Sequence, residues 1–190
     1  MGTGHSPGRG RQLASLPENL FRAPIDYLIA DHARIRAMCD GLDLLARGTE
    51  QHADPDAAAH TAAFLERDLP RHFLDEEAVL APQLRRTWPA SGQAVLERDL
   101  QRLQEQHRHD TALRLRLLPI LRRLAAGTLA VADKEFGMRC TAFTVSLRRN
   151  LAWEEETILK AAQRFLGASV LDRVGRAMSA GHGVAFPEFE

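Results

Sequence analysis

Apolar residues recur along most of the chain at spacings of three and four, the period of an amphipathic helix. No segment sustains the alternation that a half-buried strand needs. Ile25, Leu28, Ile29, Ile35, Cys39 and Leu42 form one such stripe over residues 24–47, with Pro24 suited to the first helical position and Gly48 to the end. Asp54 and Pro55 give a second start signal, an N-cap carboxylate followed by a residue whose missing N–H costs nothing there. The helix they open is expected to run to about Arg86. Pro70 should kink it rather than end it, because Phe64, Leu65, Leu69 and Phe73 keep the apolar spacing across the proline. Trp88-Pro89 marks a turn. A third helix is predicted over about 91–125 on Leu96, Leu100, Leu103, Leu113, Leu117 and Leu121, with another kink at Pro119 and closure at Gly127. A fourth, over about 133–166, starts at Asp133, carries Phe143, Leu147, Leu151, Ile158 and Phe165, and ends at Gly167. Residues 169–180 predict a short fifth helix.

Four long helices with short connections pack as antiparallel neighbours, so the expected fold is all-α, an up-down-up-down four-helix bundle with a short C-terminal fifth helix. Residues 1–19 read as a flexible tail, 20–180 as the bundle and 181–190 as an irregular tail. The chain has 190 residues, 45% of them hydrophobic, enough for one domain with a core. Lys and Arg number 25 and Asp and Glu number 25, which removes the basic field that nucleic acid or an anionic membrane would favour. No apolar run approaches the roughly 20 residues of a membrane span, and no apolar leader opens the chain, so the expected location is cytoplasmic. Met1-Gly2 followed by Ser6 formally fits a myristoylation pattern, but the surrounding stretch reads simply as a glycine-rich tail.

The chemistry lies on the apolar stripes. His32 falls three residues after Ile29 and three before Ile35, on the inward face of the first helix. His72 and Glu76 are four apart and share a face with Leu65, Leu69 and Leu80. His107 follows Leu103 by four on the third helix, and Glu154 lies between Leu147 and Ile158 on the fourth, four residues after Asn150. A lone histidine on such a stripe is usually a hydrogen-bonded core residue, and an acidic run such as Asp75-Glu76-Glu77 or Glu154-Glu155-Glu156 is usually a solvated face. In this sequence each run places its first inward glutamate one turn after a histidine or an amide. Burying ionised carboxylates without partners costs several kcal/mol, and two of them from two helices call for a cation between them. Imidazole with carboxylate suits Fe, Mn or Zn better than Ca or Mg. Cys39 and Cys140 are too few for a disulfide framework or a thiolate site and read as small buried hydrophobes. On antiparallel helices both should lie roughly 10–15 Å from the histidine layer towards one bundle end, reduced.

The segments DHARIR around His32, DLPRHFLDEEAVLAPQL around His72 and Glu76, EQHRHD around His107 and NLAWEEETIL around Glu154 resemble the hemerythrin-like (HHE) cation-binding domain over about residues 20–166. The resemblance implies a non-haem di-iron centre inside the bundle. His32 and His72 would serve one iron and His107 the second, with Glu76 and Glu154 bridging. It also implies a small diatomic ligand or peroxide as the partner and a role in handling or sensing O2, nitric oxide, peroxide or iron. The family pattern on the fourth helix is HxxxE, whereas this chain has Asn150 in the place of the histidine. An amide is a poorer ligand than imidazole for a borderline metal, so the second position is expected to be weak or absent. His109, two residues from His107, points elsewhere, and His52 or His60 could substitute only if a loop folds over the site. Two other readings stand beside this one: an iron-dependent enzyme removing peroxide or nitric oxide, and a metal-free helical interaction protein with a degenerate site. No nucleophile with an adjacent base is visible, which speaks against hydrolysis.

Overall fold

In a computed structural model, residues 13–47, 54–129 and 134–187 are described, and all regular structure among them is helical. Helix α1 is Pro24–Arg47, α2 covers residues 55–87, α3 is Gln93–Ala125, α4 covers residues 134–165 and α5 is Ala168–Gly181. A 3-10 turn, Glu18–Arg22, precedes α1. The first four helices pack in a ring, α1 on α2, α2 on α3, α3 on α4 and α4 back on α1, which is the expected bundle. Gly48, His52 and Asp133 lie outside the described residues, as do residues 1–12 and 188–190 of the expected tails.

The start and stop signals act through identifiable hydrogen bonds. Asp54 caps α2, its Oδ1 accepting from the N–H groups of Asp56 at 3.0 Å and Ala57 at 3.2 Å. Gly127 adopts φ 65° just after α3, and the N–H of Thr128 turns back to the Arg123 carbonyl, a closure that left-handed glycine permits. At the end of α4 it is Leu166 that leaves the helix, while Gly167 lies in extended backbone as the N-cap of α5 rather than as the terminator of α4.

Pro70 produces a π turn. Residues Phe64–Asp68 widen so that the N–H of Leu69 reaches the Phe64 carbonyl, one residue beyond the α pattern. The same device recurs before Pro82, where Asp75–Leu80 form a π turn and the N–H of Ala81 reaches the Glu76 carbonyl. Both widened turns absorb a proline that cannot donate its own hydrogen bond. A third, Glu155–Leu159, follows Glu154 on α4. Pro119 lies within an unbroken α3.

The interior is divided into two apolar blocks. One contains Ile35, Cys39, Leu42, Leu65, Leu69, Phe73, Leu117, Leu121, Cys140, Phe143, Leu147 and Leu151. The other contains Ile25, Leu28, Leu80, Leu84, Leu96, Leu100, Leu103, Ile158 and Leu159. Each of the four long helices crosses from one block to the other, and at each crossing it places a buried polar residue. Ile29 is an exception to the expected stripe: it is 39% exposed, and Leu28, Asp31, His32 and Ile35 carry the inward face instead. Both cysteines are buried and unbridged within the same block, as their positions require.

Helix α5 lies across the 3-10 turn, the start of α1 and the second π turn of α2. Gly175 makes this approach feasible, because a Cβ there would stand 1.9 Å from the Phe21 carbonyl oxygen. At its end His182 meets Asp75 through Nε2 at 2.7 Å and the Tyr27 hydroxyl through Nδ1 at 3.3 Å. The fifth helix thus braces the turn that carries Glu76.

Candidate metal centre

The polar layer between the two apolar blocks brings together His32 from α1, His72 and Glu76 from α2, His107 from α3 and Glu154 from α4, none more than 3% exposed. One donor atom each from His32, His72, Glu76 and Glu154 falls within 4.8 Å of the others. Glu76 sits at the centre: Oε1 is 3.6 Å from His32 Nε2, while Oε2 is 3.6 Å from His72 Nε2 and 3.2 Å from His107 Nε2. Glu154 spans the same gap, with Oε2 3.6 Å from His32 Nε2 and Oε1 3.4 Å from His107 Nε2. Donors bound about 2.1 Å from a shared ion stand about 3.0–3.4 Å apart, so these separations suit a metal.

A second ring of carboxylates holds the imidazoles from behind. His32 Nδ1 is hydrogen-bonded to Glu155 Oε1 at 3.0 Å and His107 Nδ1 to Glu77 Oε1 at 2.6 Å, while His72 Nδ1 lies 3.2 Å from Asp31 Oδ2 at ion-pair distance without hydrogen-bond geometry. An imidazole that donates from Nδ1 keeps its Nε2 lone pair for the interior, which is the arrangement metal-binding histidines use. Arg34 braces Asp31 at 2.6 Å and Arg36 braces Glu155 at 2.8 Å. Phe73 stacks on His107 with centroids 4.0 Å apart and fixes its ring plane.

The inward atoms have nothing to bond to among the described residues. Nε2 of His32, His72 and His107, both oxygens of Glu76 and Oε2 of Glu154 are buried without a hydrogen-bond partner. Buried donors and acceptors left in this state are expensive, and their convergence marks a cation position. The electrostatics agree. Burial opposes charging of His72, yet Glu76 and Asp31 push it up to about 9. Burial likewise opposes charging of His107, but Glu154, Glu76 and Glu77 push it up to about 11. Glu76 is held well below the usual carboxylate range despite its burial, by His72, His107 and His32. Glu154 is raised by burial and by the Glu76 charge beside it. The layer attracts positive charge, and protons and metal compete for the same lone pairs.

The family model described as Hemerythrin HHE cation binding domain matches residues 23–162. The chain belongs to the hemerythrin HHE family. An "uncharacterized protein" of Haemophilus influenzae is 27% identical to this hemerythrin-type chain, over 84% of it and 90% of the other. No solved structure matches it significantly. Cation binding by a helical bundle is therefore its family character, and the cluster on the four helices is the candidate place for it.

Of the six residues singled out from the sequence, five meet in the layer and Asn150 stands one turn away from Glu154, fully buried. Its Nδ2 donates to Asp110 Oδ2 at 2.6 Å. His109 is exposed, as its position two residues from His107 requires. His60 lies twelve residues before His72 on α2, about 18 Å along the helix, and is not part of the layer. Sequence reasoning missed the outer ring of Asp31, Glu77, Glu155 and Asp110. A signal was present: Asp31, Glu77 and Glu155 each adjoin an inner residue in the chain.

Proposed function

We propose that this hemerythrin-family protein is a non-haem iron protein of the cytoplasm that handles a small ligand such as O2, nitric oxide or peroxide. One iron is held firmly by His32, His72, Glu76 and Glu154, and a weaker second position lies beside His107. The observation that carries this reading is the buried meeting of four donor atoms within 4.8 Å, with inward nitrogens that have no partner. When bound, iron supplies an open coordination position and redox chemistry at which a diatomic or peroxide can bind.

The chain's own residues prepare that position. Glu155 and Glu77 fix the tautomers of His32 and His107 through hydrogen bonds to Nδ1, and the Asp31 carboxylate 3.2 Å from His72 Nδ1 favours the same tautomer there, so that each Nε2 is left for a cation. The two apolar blocks keep bulk water from the layer on both sides. Iron rather than zinc is favoured by the carboxylate-rich donor set and by the family. A metal-free role is disfavoured, because it leaves the inner glutamates buried without compensation.

Metal analysis of protein purified from iron-supplied cells tests the proposal. One tightly held iron per chain is expected, with a rise in melting temperature when Fe(II) is added to the stripped protein, as binding to the native state requires. Two equally tight irons would overturn the weak second position. No bound metal and no melting shift with Fe(II) or Zn(II) would overturn the metal reading itself.

A further inference from the structure

The outer carboxylates follow a rotation around the bundle. Asp31 of α1 holds His72 of α2, Glu77 of α2 holds His107 of α3, and Glu155 of α4 holds His32 of α1. One link remains, from α3 to α4. Asp110 of α3 supplies it by accepting from Asn150 Nδ2 at 2.6 Å. Residue 150 is therefore held as His32 and His107 are, with one side-chain nitrogen hydrogen-bonded to a carboxylate behind it.

This bond decides the direction of the amide. A carboxylate is an acceptor, so the amide nitrogen faces Asp110 and the amide oxygen faces away from it. That oxygen, Oδ1, is buried in a residue with 0% exposure and has no hydrogen-bond partner. One turn further along α4 is Glu154, whose Oε1 stands 3.4 Å from His107 Nε2. Glu76 Oε2 stands 3.2 Å from the same nitrogen. An orphaned neutral oxygen is thus buried one turn from Glu154, on a side chain tied to the helix that carries His107.

We infer that Asn150 Oδ1 is a metal ligand rather than a lost one, completing with His107 Nε2, Glu76 Oε2 and Glu154 Oε1 a second position of one nitrogen and three oxygens that accepts Mn(II). This rests on the reading of the first position as an iron site. The His32–His72 side offers two nitrogens and two oxygens. Exchanging imidazole for a carbonyl oxygen hardens the donor set, which narrows the advantage Fe(II) ordinarily holds over Mn(II). The two positions then differ in metal preference, and a mixed iron–manganese centre follows. Asp110 acts as a positioning residue: its hydrogen bond keeps the amide oxygen turned away from it.

The test uses the full chain stripped of metal, loaded anaerobically with one equivalent of Fe(II) and titrated with Mn(II). The loss of the free Mn(II) electron paramagnetic signal reports binding, and elemental analysis reports both metals. The native chain is expected to take one Mn(II) while keeping its iron. Asn150→Leu, which removes the oxygen at nearly equal volume, should weaken Mn(II) binding tenfold or more and leave the first iron in place. Because that variant strands Asp110, the double change Asn150→Leu with Asp110→Leu serves as the folded control and should behave alike. Asn150→His should shift the second position towards a second iron. Unchanged Mn(II) affinity in both leucine variants, or no Mn(II) binding by an iron-loaded native chain, overturns the inference alone. A native chain that holds neither ion overturns the iron reading as well.

Discussion

The two sides of the polar layer share their carboxylates and differ in almost everything else. On one side His32 and His72 supply two imidazoles, and their outer carboxylates, Glu155 and Asp31, are each tied to an arginine. On the other, His107 is the single imidazole, held by Glu77, and the nearby Asp110 of the same helix holds the amide of Asn150. Glu76 and Glu154 face both. An outer hydrogen bond to a carboxylate is thus present at residue 150 as it is at His32 and His107, although the side chain there is an amide. Asp110 is buried, and without the Asn150 amide its carboxylate would lose that hydrogen bond, a costly arrangement in a core.

The largest effect should come from the residue the two sides share. Glu76 approaches all three imidazoles, so Glu76→Leu should abolish metal binding on both sides, a loss of roughly 100-fold or more for a ligand of this kind. Elemental analysis after dialysis checks this. Because the imidazoles hold the Glu76 carboxyl low in the metal-free chain, the metal-free variant should also melt below the metal-free native chain, so the metal content and not the melting temperature reads the loss of binding. Retention of one iron by this variant would show that the sides are independent, and the comparison would fail.

Next in size are the one-sided changes. His72→Ala should cost the firmly held iron, whereas His107→Ala should leave it and affect only the second ion. Metal content and Fe(II)-induced melting shift distinguish them. Equal losses from the two variants would mean a single shared ion at the centre of the layer, not two unequal positions.

The inner side of this comparison was legible in the sequence and the outer side was not. His72 and Glu76 share a face because four residues make about one helical turn, and that holds in any helix packing. Asp54 and Gly127 announce helix ends through local chemistry and appear where local chemistry puts them. Asp31, Glu77 and Glu155 acquire meaning only through partners on other helices, and the axial register of one helix against the next is not written in either helix alone. Asp110 was obscured further, because it lies three positions after His107 rather than next to it and its clue is the partner at Asn150. Ile29 misled for the opposite reason. It fits the period from Ile25, but the stripe that reaches the core runs through Leu28, Asp31 and His32, and a polar pair at its centre hides it. At Pro70 the helix continues past the proline as expected, and the disturbance takes the form of a π turn, a feature that the apolar spacing does not reveal.

A subtler contrast concerns the two outer aspartates in the metal-free protein, where they titrate in opposite directions. Burial alone would raise Asp31, but the nearby His72 imidazole and its charge, with Arg34, bring it below its ordinary 3.8. Asp110 is raised above 3.8, because burial outweighs the lowering effect of the nearby Ser146 hydroxyl and of its hydrogen bond from Asn150. A depressed carboxyl contributes stability that is present above the unfolded value and is lost as pH falls through the folded one. For Asp31 the stabilising contribution should thus be full above about pH 5 and fade below 3.8. A raised carboxyl does the reverse: the folded chain holds its proton longer, so stability falls as pH rises from 3.8 through the folded value. Asp31→Asn should accordingly lower the melting temperature most near neutrality, by the roughly 1–3 kcal/mol of a charged hydrogen bond, and least in acid. Asp110→Asn should gain on the native chain as pH rises from acid to neutrality. Melting both variants and the native chain in chelator between pH 3 and 7 separates the two profiles. Parallel curves would show that the outer ring is electrostatically uniform, leaving the asymmetry of the layer to the imidazole and the amide alone.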